Sequence, residues 1–186
     1  IIRQLLPYTR HHWFRRACWF MESKGVPGIL LHLALRKRRI ADTARAALGT
    51  GIRQVVVLGA GLDPLGQQLA GECPEVRCWE LDHPSTQRVK AGLLGSALPT
   101  GLRLLPRDLQ RGSLAATLTA REGYSREEAT FFAAEGLLMY LSPHRVRALL
   151  RSMAQWCGPE SLLVFTFMEP QPEGGVHFRG QHPLVT

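Results

Sequence analysis

Four acidic residues, Asp63, Asp82, Asp108 and Glu135, each stand just past a short apolar run. Carboxylates in such places accept hydrogen bonds from sugar hydroxyls or pair with a cationic ligand. Gly59-Ala60-Gly61 precedes the first of them and lets the backbone pass close to a bound molecule. Asp82 lies 23 residues after Gly59, about the interval at which nucleotide-binding α/β folds place an acid on ribose hydroxyls. The nucleophilic side chains offer less. No Ser/His/Asp or Cys/His set is evident, and His83 and His144 have no partner that the sequence names. Cys18, Cys73, Cys78 and Cys157 form no CxxC pair and have no histidine at metal-ligand spacing. They read as free thiols in a reducing cytoplasm, and no metal is expected.

Two cofactor classes use a glycine turn followed by a ribose-binding acid: dinucleotides and S-adenosylmethionine. Charge separates them. The dinucleotide fingerprint GxGxxG needs a glycine where this chain has Pro64. A pyrophosphate seats on a helix N-terminus, and a carboxylate beside it, here Asp63, is unfavourable by about 1 kcal/mol even with partial solvation. S-adenosylmethionine has no phosphate and carries a sulfonium and an ammonium, so Asp63 and Glu135 favour it. Asp63 also has a plainer use as a helix cap before Pro64, and the two uses are compatible.

Parallel strands must carry these residues. The β-branched run 54–58 suits a strand buried on both faces. Further strands are expected over 76–81, 102–105, 130–134 and 161–167. Helices are expected over 65–70 and 84–94. Ser142 as a cap, with Pro143 at the first helical position, starts another; Val146, Leu149, Leu150 and Met153 are its apolar stripe, and Gly158-Pro159 stops it. Upstream, 8–23 has helical apolar spacing. A second helix over 29–48 places Leu30, Leu33, Ile40, Ala44 and Leu48 along one side. Strands alternating with helices give an α/β fold, a mostly parallel sheet flanked by helices with right-handed crossovers. Such sheets bind ligands beyond the carboxyl ends of their strands. Four buried strands are expected to end there in an acidic or glycine-rich step.

A chain of 186 residues suffices for one domain with a hydrophobic core. It divides into an N-terminal helical segment, 1–50, and a cofactor-binding core, 51–186. Hydrophobic residues at 45% and charged residues at 20% place it in the ordinary globular class. No apolar run approaches the roughly 20 residues of a membrane helix, and no signal-peptide pattern is evident. A cytoplasmic location and no membrane partner are therefore expected. The first residue is Ile, so the true start is expected to lie upstream. A net charge of +8 and a pI near 10 permit a nucleic-acid partner. The positive charge concentrates before the strand-end motifs, and solvated helix faces explain it more simply, so nucleic acid is not favoured.

The strand-end residues also form familiar strings. Gln54-Val55-Val56-Val57-Leu58-Gly59-Ala60-Gly61-Leu62-Asp63 resembles the first motif of the leucine carboxyl methyltransferase family, which includes phosphatase-tail methyltransferases and many bacterial O-methyltransferases. Trp79-Glu80-Leu81-Asp82-His83-Pro84, with Lys90 after it, resembles the second motif, and Arg107-Asp108-Leu109 the third. Ala134-Glu135-Gly136-Leu137-Leu138-Met139-Tyr140-Leu141 is similar to the fourth and is the most specific. Arg36-Lys37-Arg38-Arg39-Ile40-Ala41-Asp42 resembles the basic segment upstream. The resemblance runs from about residue 8 to the end. It implies a Rossmann-like class I methyltransferase fold with S-adenosyl-L-methionine as cofactor. In that frame Arg38 pairs with the cofactor's carboxylate, bidentately if geometry allows. Gly59 and Gly61 meet the cofactor at the glycine turn, Asp63 and Glu135 lie near its cationic end, and Asp82 holds the ribose. Asp108 and Leu109 address the adenine. Tyr140 lines the acceptor side or belongs to the core. Arg38 also reads as a surface charge in a basic run, and Asp108 as a turn residue.

Two departures qualify this frame. After Asp63 the family commonly has a threonine and a nearby arginine; here Pro64-Leu65-Gly66 removes a hydroxyl and a cation that could brace the loop, and a reduced cofactor affinity is expected. Five strands are countable where class I methyltransferases have seven, so the last strands are expected to be lacking. An oligomer or another partner would then cover the exposed edge. The implied chemistry is in-line methyl transfer to a carboxylate or hydroxyl oxygen, with the protein supplying alignment and desolvation. A carboxylate needs no general base, and no catalytic residue is named. The acceptor is a small molecule or a protein's C-terminal carboxylate. The alternatives are a degenerate methyltransferase-fold module without turnover, a nucleic-acid methyltransferase, and a dinucleotide-dependent oxidoreductase.

Overall fold

The computed structural model describes residues 12, 16, 20, 28–111, 113–118 and 123–168. Cys18, most of the helix expected at 8–23, and everything after Met168 lie outside them. His12, Arg16 and Phe20 are helical. The chain forms two compact units, Ile1–Arg39 with Glu169–Thr186, and Ile40–Met168. Among the described residues no helix is long and apolar enough to cross a membrane.

The larger unit holds a five-stranded sheet: β1 (Gln54–Leu58), β2 (Arg77–Asp82), β3 (Leu102–Pro106), β4 (Thr130–Ala134) and β5 (Leu162–Phe165). The order is β3-β2-β1-β4-β5, and every neighbouring pair is parallel. The chain builds outward from β1 in one direction and then from β4 in the other. The switch point therefore lies between the carboxyl ends of β1 and β4. The helices are α1 (Ile29–Gly49), α2 (Leu65–Glu72), α3 (Pro84–Leu94), α4 (Leu114–Thr117) and α5 (Pro143–Gln155). The α/β Rossmann-like architecture is as expected, and β1, α3 and β4 have the expected bounds.

Successive side chains of a strand point to opposite faces, and β1 shows this in its packing. Val55 and Val57 join Ile40, Ala44, Leu65 and Leu69 on one side of the sheet. Val56 and Leu58 join Trp79, Phe132, Leu149 and Met153 on the other. Both faces being covered explains why β1 and β4 are wholly buried and apolar after their first residues, Gln54 and Thr130.

Several expectations need correction. The strand-end residues follow three well-buried strands, not four: β3 is an edge strand with only Leu102 buried. No residue of β5 is fully buried, and it stops at Phe165; the next residue, Thr166, donates its amide to the Ala134 carbonyl and accepts from the Gly136 amide through its hydroxyl. On α5, Leu149 and Met153 are buried but Leu150 is exposed. On α1 the buried residues are Ile40, Ala44, Ala47 and Leu48, all in the half of the helix that belongs to the larger unit, whereas Leu30 is exposed. The short α4 and the 3-10 turns Gly95–Ala97 and Leu138–Tyr140 were not expected. Most unusual is α3. Its buried residues are Gln87 and Lys90, while Val89 and Leu93 face solvent.

Candidate functional site

Register brings the strand-end residues into one row. Leu58 pairs with Leu81 across β1 and β2, so Gly59 and Asp82 are the next step on each. Val57 pairs with Ala133 across β1 and β4, which places Glu135 level with Gly59 on the other side. Asp82 pairs with Pro106, just ahead of Arg107 and Asp108. Residues far apart in sequence thus meet along the carboxyl edge of β2, β1 and β4.

The glycine turn is held against β2 by backbone bonds. The Gly59 and Ala60 amides both donate to the Leu81 carbonyl, at 2.8 and 3.3 Å. The Gly61 amide donates to Oδ2 of Asp82 at 2.6 Å, and the His83 amide to Oδ1 at 2.5 Å. Two ionised oxygens offer about four lone-pair sites, so Asp82 keeps acceptor capacity for a ligand after serving both amides. Gly59 and Gly61 have φ of +65° and +53°, the left-handed region that glycine tolerates. Their surroundings differ. A Cβ on Gly59 would lie 2.9 Å from Cδ1 of Leu137, so the turn closes onto the segment after β4. Among the described residues a Cβ on Gly61 would meet nothing within 4 Å. The chain leaves space there for a molecule to approach the backbone.

Asp63 has its expected capping contact. Its Oδ1 accepts from the Leu65 amide at 3.0 Å at the start of α2, and it sits at the end of the glycine turn. Asp108 closes a tight turn, accepting from the Gln110 amide at 2.9 Å. The adjoining Leu109 is half-buried, and its carbonyl accepts from Nη2 of Arg145 at 3.0 Å. Glu135 is half-buried at the end of β4. The following Gly136 amide donates to Oγ1 of Thr166 at 2.7 Å, which fixes the turn that carries Glu135. Tyr140 is 72% exposed on the 3-10 turn Leu138–Tyr140, so it is not a core residue. Arg38 is exposed on α1 and belongs to the smaller unit.

Four supporting residues escaped the sequence reading. Thr166 had been expected inside a strand. Nothing in the sequence singles out Arg145. Leu137 packs on Gly59, and Lys90, noted only as part of a motif, reaches the carbonyl of Asp63 at 2.5 Å. That last contact supplies a brace where the missing threonine and arginine had implied none. One signal was available for it: a lysine on a helix whose apolar spacing is weak, downstream of a glutamate inside an apolar strand. His83, for which no partner was expected, has one in Ser85: Nδ1 lies 2.7 Å from Ser85 Oγ and accepts from the Ser85 amide at 3.3 Å. This is a cap on α3, not a catalytic pair. Among the described residues no three His, Cys, Asp or Glu side chains gather as a metal site.

Residues 7–154 match the family described as leucine carboxyl methyltransferase. A Mycolicibacterium gilvum protein bearing the name S-adenosyl-L-methionine-dependent methyltransferase is 34% identical over 139 residues, which is 73% of this chain and 44% of that protein. The chain thus spans less than half the length of that relative. Among solved structures, a methyltransferase from Thermobifida fusca YX superposes with a TM-score of 0.62 at 22% identity, covering 83% of this chain and 60% of that one. An O-methyltransferase from Nostoc punctiforme gives 0.55 at 11% identity, covering 73% and 38%. At those identities the structural likeness speaks for the fold alone.

Proposed function

The chain belongs to the leucine carboxyl methyltransferase family, and from that premise we propose that it binds S-adenosyl-L-methionine along the carboxyl edge of β2, β1 and β4 and serves methyl transfer to an oxygen acceptor. The observation that carries the reading is the Asp82–Gly61 contact with open space over Gly61. It presents a carboxylate with lone pairs to spare beside backbone that a ligand can reach. The donor set fits the cofactor. Asp82 accepts from the ribose hydroxyls, the Asp108–Leu109 turn receives the adenine, and Asp63 and Glu135 face the cationic end. At the start of α2 the Asp63 carboxylate takes the place where a phosphate would otherwise sit.

When bound, S-adenosyl-L-methionine supplies an activated methyl group with a neutral thioether as leaving group. The chain's own task is then to align and desolvate. The Gly59–Leu137 approach holds the β1 and β4 ends together, and the Thr166–Gly136 bond ties the β4 end to the β5 end. Arg145 holds the Leu109 backbone. A carboxylate acceptor, whether on a small molecule or at a protein's C-terminus, arrives ionised and needs no base, which suits a site whose described residues include no nucleophile–base pair. Tyr140, exposed on the 3-10 turn that follows Glu135 in the chain, is the proposed acceptor-side residue. The role implied for Arg38 is a separate proposal, tested by Arg38→Ala. A partner or second copy covering the β5 edge is another, read by sedimentation.

Calorimetry with S-adenosylmethionine and S-adenosylhomocysteine tests the binding claim. Sub-millimolar binding that Asp82→Ala abolishes is expected; binding of neither ligand sinks the reading. Transfer of a labelled methyl that alkali then releases as methanol identifies a carboxylate acceptor, because esters hydrolyse and methyl ethers do not.

A further inference from the structure

Beneath the glycine turn lies a buried polar cluster that the cofactor contacts above do not use. Glu80 is the one carboxylate inside β2 ahead of its end, and its side chain is fully buried. Lys90 on α3 is 4% exposed, and its Nζ lies 2.5 Å from Oε2 of Glu80. The same Nζ donates to the carbonyl of Asp63 at 2.5 Å. Gln87, one turn earlier, donates to the Glu80 carbonyl at 2.8 Å. On the far side Gly66 packs directly on the carboxylate: a Cβ there would stand 2.5 Å from Oε1. The loop that ends in Asp63 and enters α2 is therefore seated on this pair.

A buried ion pair is expensive and seldom justified by stability alone. Burial pushes the Glu80 carboxyl above its ordinary value, and the Lys90 ammonium opposes the shift. An apolar pair at these two positions would fill the space and match the surrounding core. Polar residues facing inward on α3, with Val89 and Leu93 turned to solvent, make the same point. What an apolar pair lacks is a donor for the Asp63 carbonyl. A lone lysine would supply the donor but also a bare cation under a turn that receives a cofactor of net positive charge.

We infer that Lys90 is a positioning residue that fixes the Asp63 turn, and that Glu80 is its counter-charge, keeping the seat of the turn electrically neutral toward a cationic cofactor. The inference rests on the functional reading above. It makes a charge-specific demand. S-adenosylmethionine carries one net positive charge and S-adenosylhomocysteine none, while their shapes are nearly the same. Loss of Glu80 must therefore weaken the first ligand more than the second, since an unscreened cation in protein repels another over several ångströms. A merely structural pair would weaken both alike.

The experiment is calorimetry of both ligands against the full chain, Glu80→Gln, and the double variant Glu80→Gln/Lys90→Met. Glu80→Gln is expected to raise the ratio of the two dissociation constants about fivefold against S-adenosylmethionine, and the double variant to return the ratio to that of the parent chain. Equal weakening of both ligands by Glu80→Gln, or a ratio that stays raised in the double variant, overturns the inference. Should Glu80→Gln fail to fold, Lys90→Met carries the test alone. Both ligands are then expected to weaken several-fold, about the effect of one lost buried hydrogen bond, without the ratio rising. Unchanged affinities, or a ratio raised against S-adenosylmethionine, overturn it. Failure of the unsubstituted chain to bind either ligand is a different result, since it removes the functional reading itself before any substitution is compared.

Discussion

At the amino end of the sheet polar groups satisfy one another, and at the carboxyl end they hold capacity in reserve. Gln54 opens β1 and is fully buried. Its Oε1 accepts from the Ser125 amide at 2.8 Å, and its Nε2 donates to the Ser125 carbonyl at 2.7 Å and to Thr130 Oγ1 at 3.1 Å. The Tyr124 hydroxyl lies 3.1 Å from the same Thr130 oxygen and donates to the Trp156 carbonyl. The Thr130 amide in turn donates to Ser161 Oγ at 2.9 Å. This network ties the loop before β4, the end of α5 and the start of β5 to one point. Across the sheet, Asp82 meets two amides and retains lone pairs, and Gly61 has open space. The same strands carry both ends, so the contrast lies in the residues that flank them. Closed networks stabilise; half-filled ones bind.

The largest expected effect breaks the comparison at its binding end. Asp82→Ala should weaken S-adenosylmethionine about 100-fold, or ~3 kcal/mol, the worth of two hydrogen bonds to a charged group. The melting temperature should fall far less, because the two amides that Asp82 serves lie near solvent. A large loss of stability without loss of affinity would reverse the assignment of the two ends. The next effect belongs to the amino end. Gln54→Leu keeps volume but strands the Ser125 amide and carbonyl, and should cost about 2 kcal/mol of stability by denaturant titration. Ligand affinity of the folded fraction should not change. Tyr124→Phe is the milder version, about 1 kcal/mol. Burial pushes the Tyr124 hydroxyl up to about 12, so in the folded protein it stays protonated where an unfolded tyrosine would ionise. Its contribution is fully present below pH 10 and declines as pH rises toward 12. An alkaline unfolding curve that shifts in Tyr124→Phe and not in Asp82→Ala would sharpen the contrast.

The sequence showed the binding end far better than the stabilising end. Strand ends announce themselves: a short, largely apolar run stops at Gly59, at Asp82, at Glu135, and its bounds locate each within a residue or two. Parallel register then aligns them without further information. The amino-end network has no such mark. Gln54 looks like an ordinary polar residue before an apolar strand, and its partners Ser125 and Thr130 lie more than 70 residues away. Helix α3 was legible in extent and illegible in orientation. Its cap, His83, and Pro84 at the first helical position set its start from local chemistry. Its buried face is chosen by Glu80 on another strand, a tertiary fact that overrides apolar patterning. Thr166 was misread as strand for a similar reason: its hydroxyl serves Gly136, 30 residues earlier.

The smallest expected effect tests whether hydrogen bonding or burial gives the amino end its strength. Arg45 on α1 and Glu72 on α2 form a bidentate pair, with Nε and Nη2 each 2.8 Å from a carboxylate oxygen. The geometry is as good as anything around Gln54, yet both side chains are more than two-fifths exposed. Water competes for each group when the pair opens, so the pair should contribute no more than about 0.5 kcal/mol. Arg45→Ala should lower the melting temperature at pH 7 by about 1–2 °C. The Arg45 guanidinium holds the Glu72 carboxyl below its ordinary value. A depressed carboxyl stabilises the fold above its unfolded value and loses that contribution as pH falls through its folded value. The difference between Arg45→Ala and the parent chain should therefore be full at pH 7 and vanish in acid, below the ordinary carboxylate range. It should also shrink in high salt, which screens exposed charges. An Arg45→Ala loss as large as that of Gln54→Leu would mean that bond count, not exclusion of water, separates the two ends of the sheet.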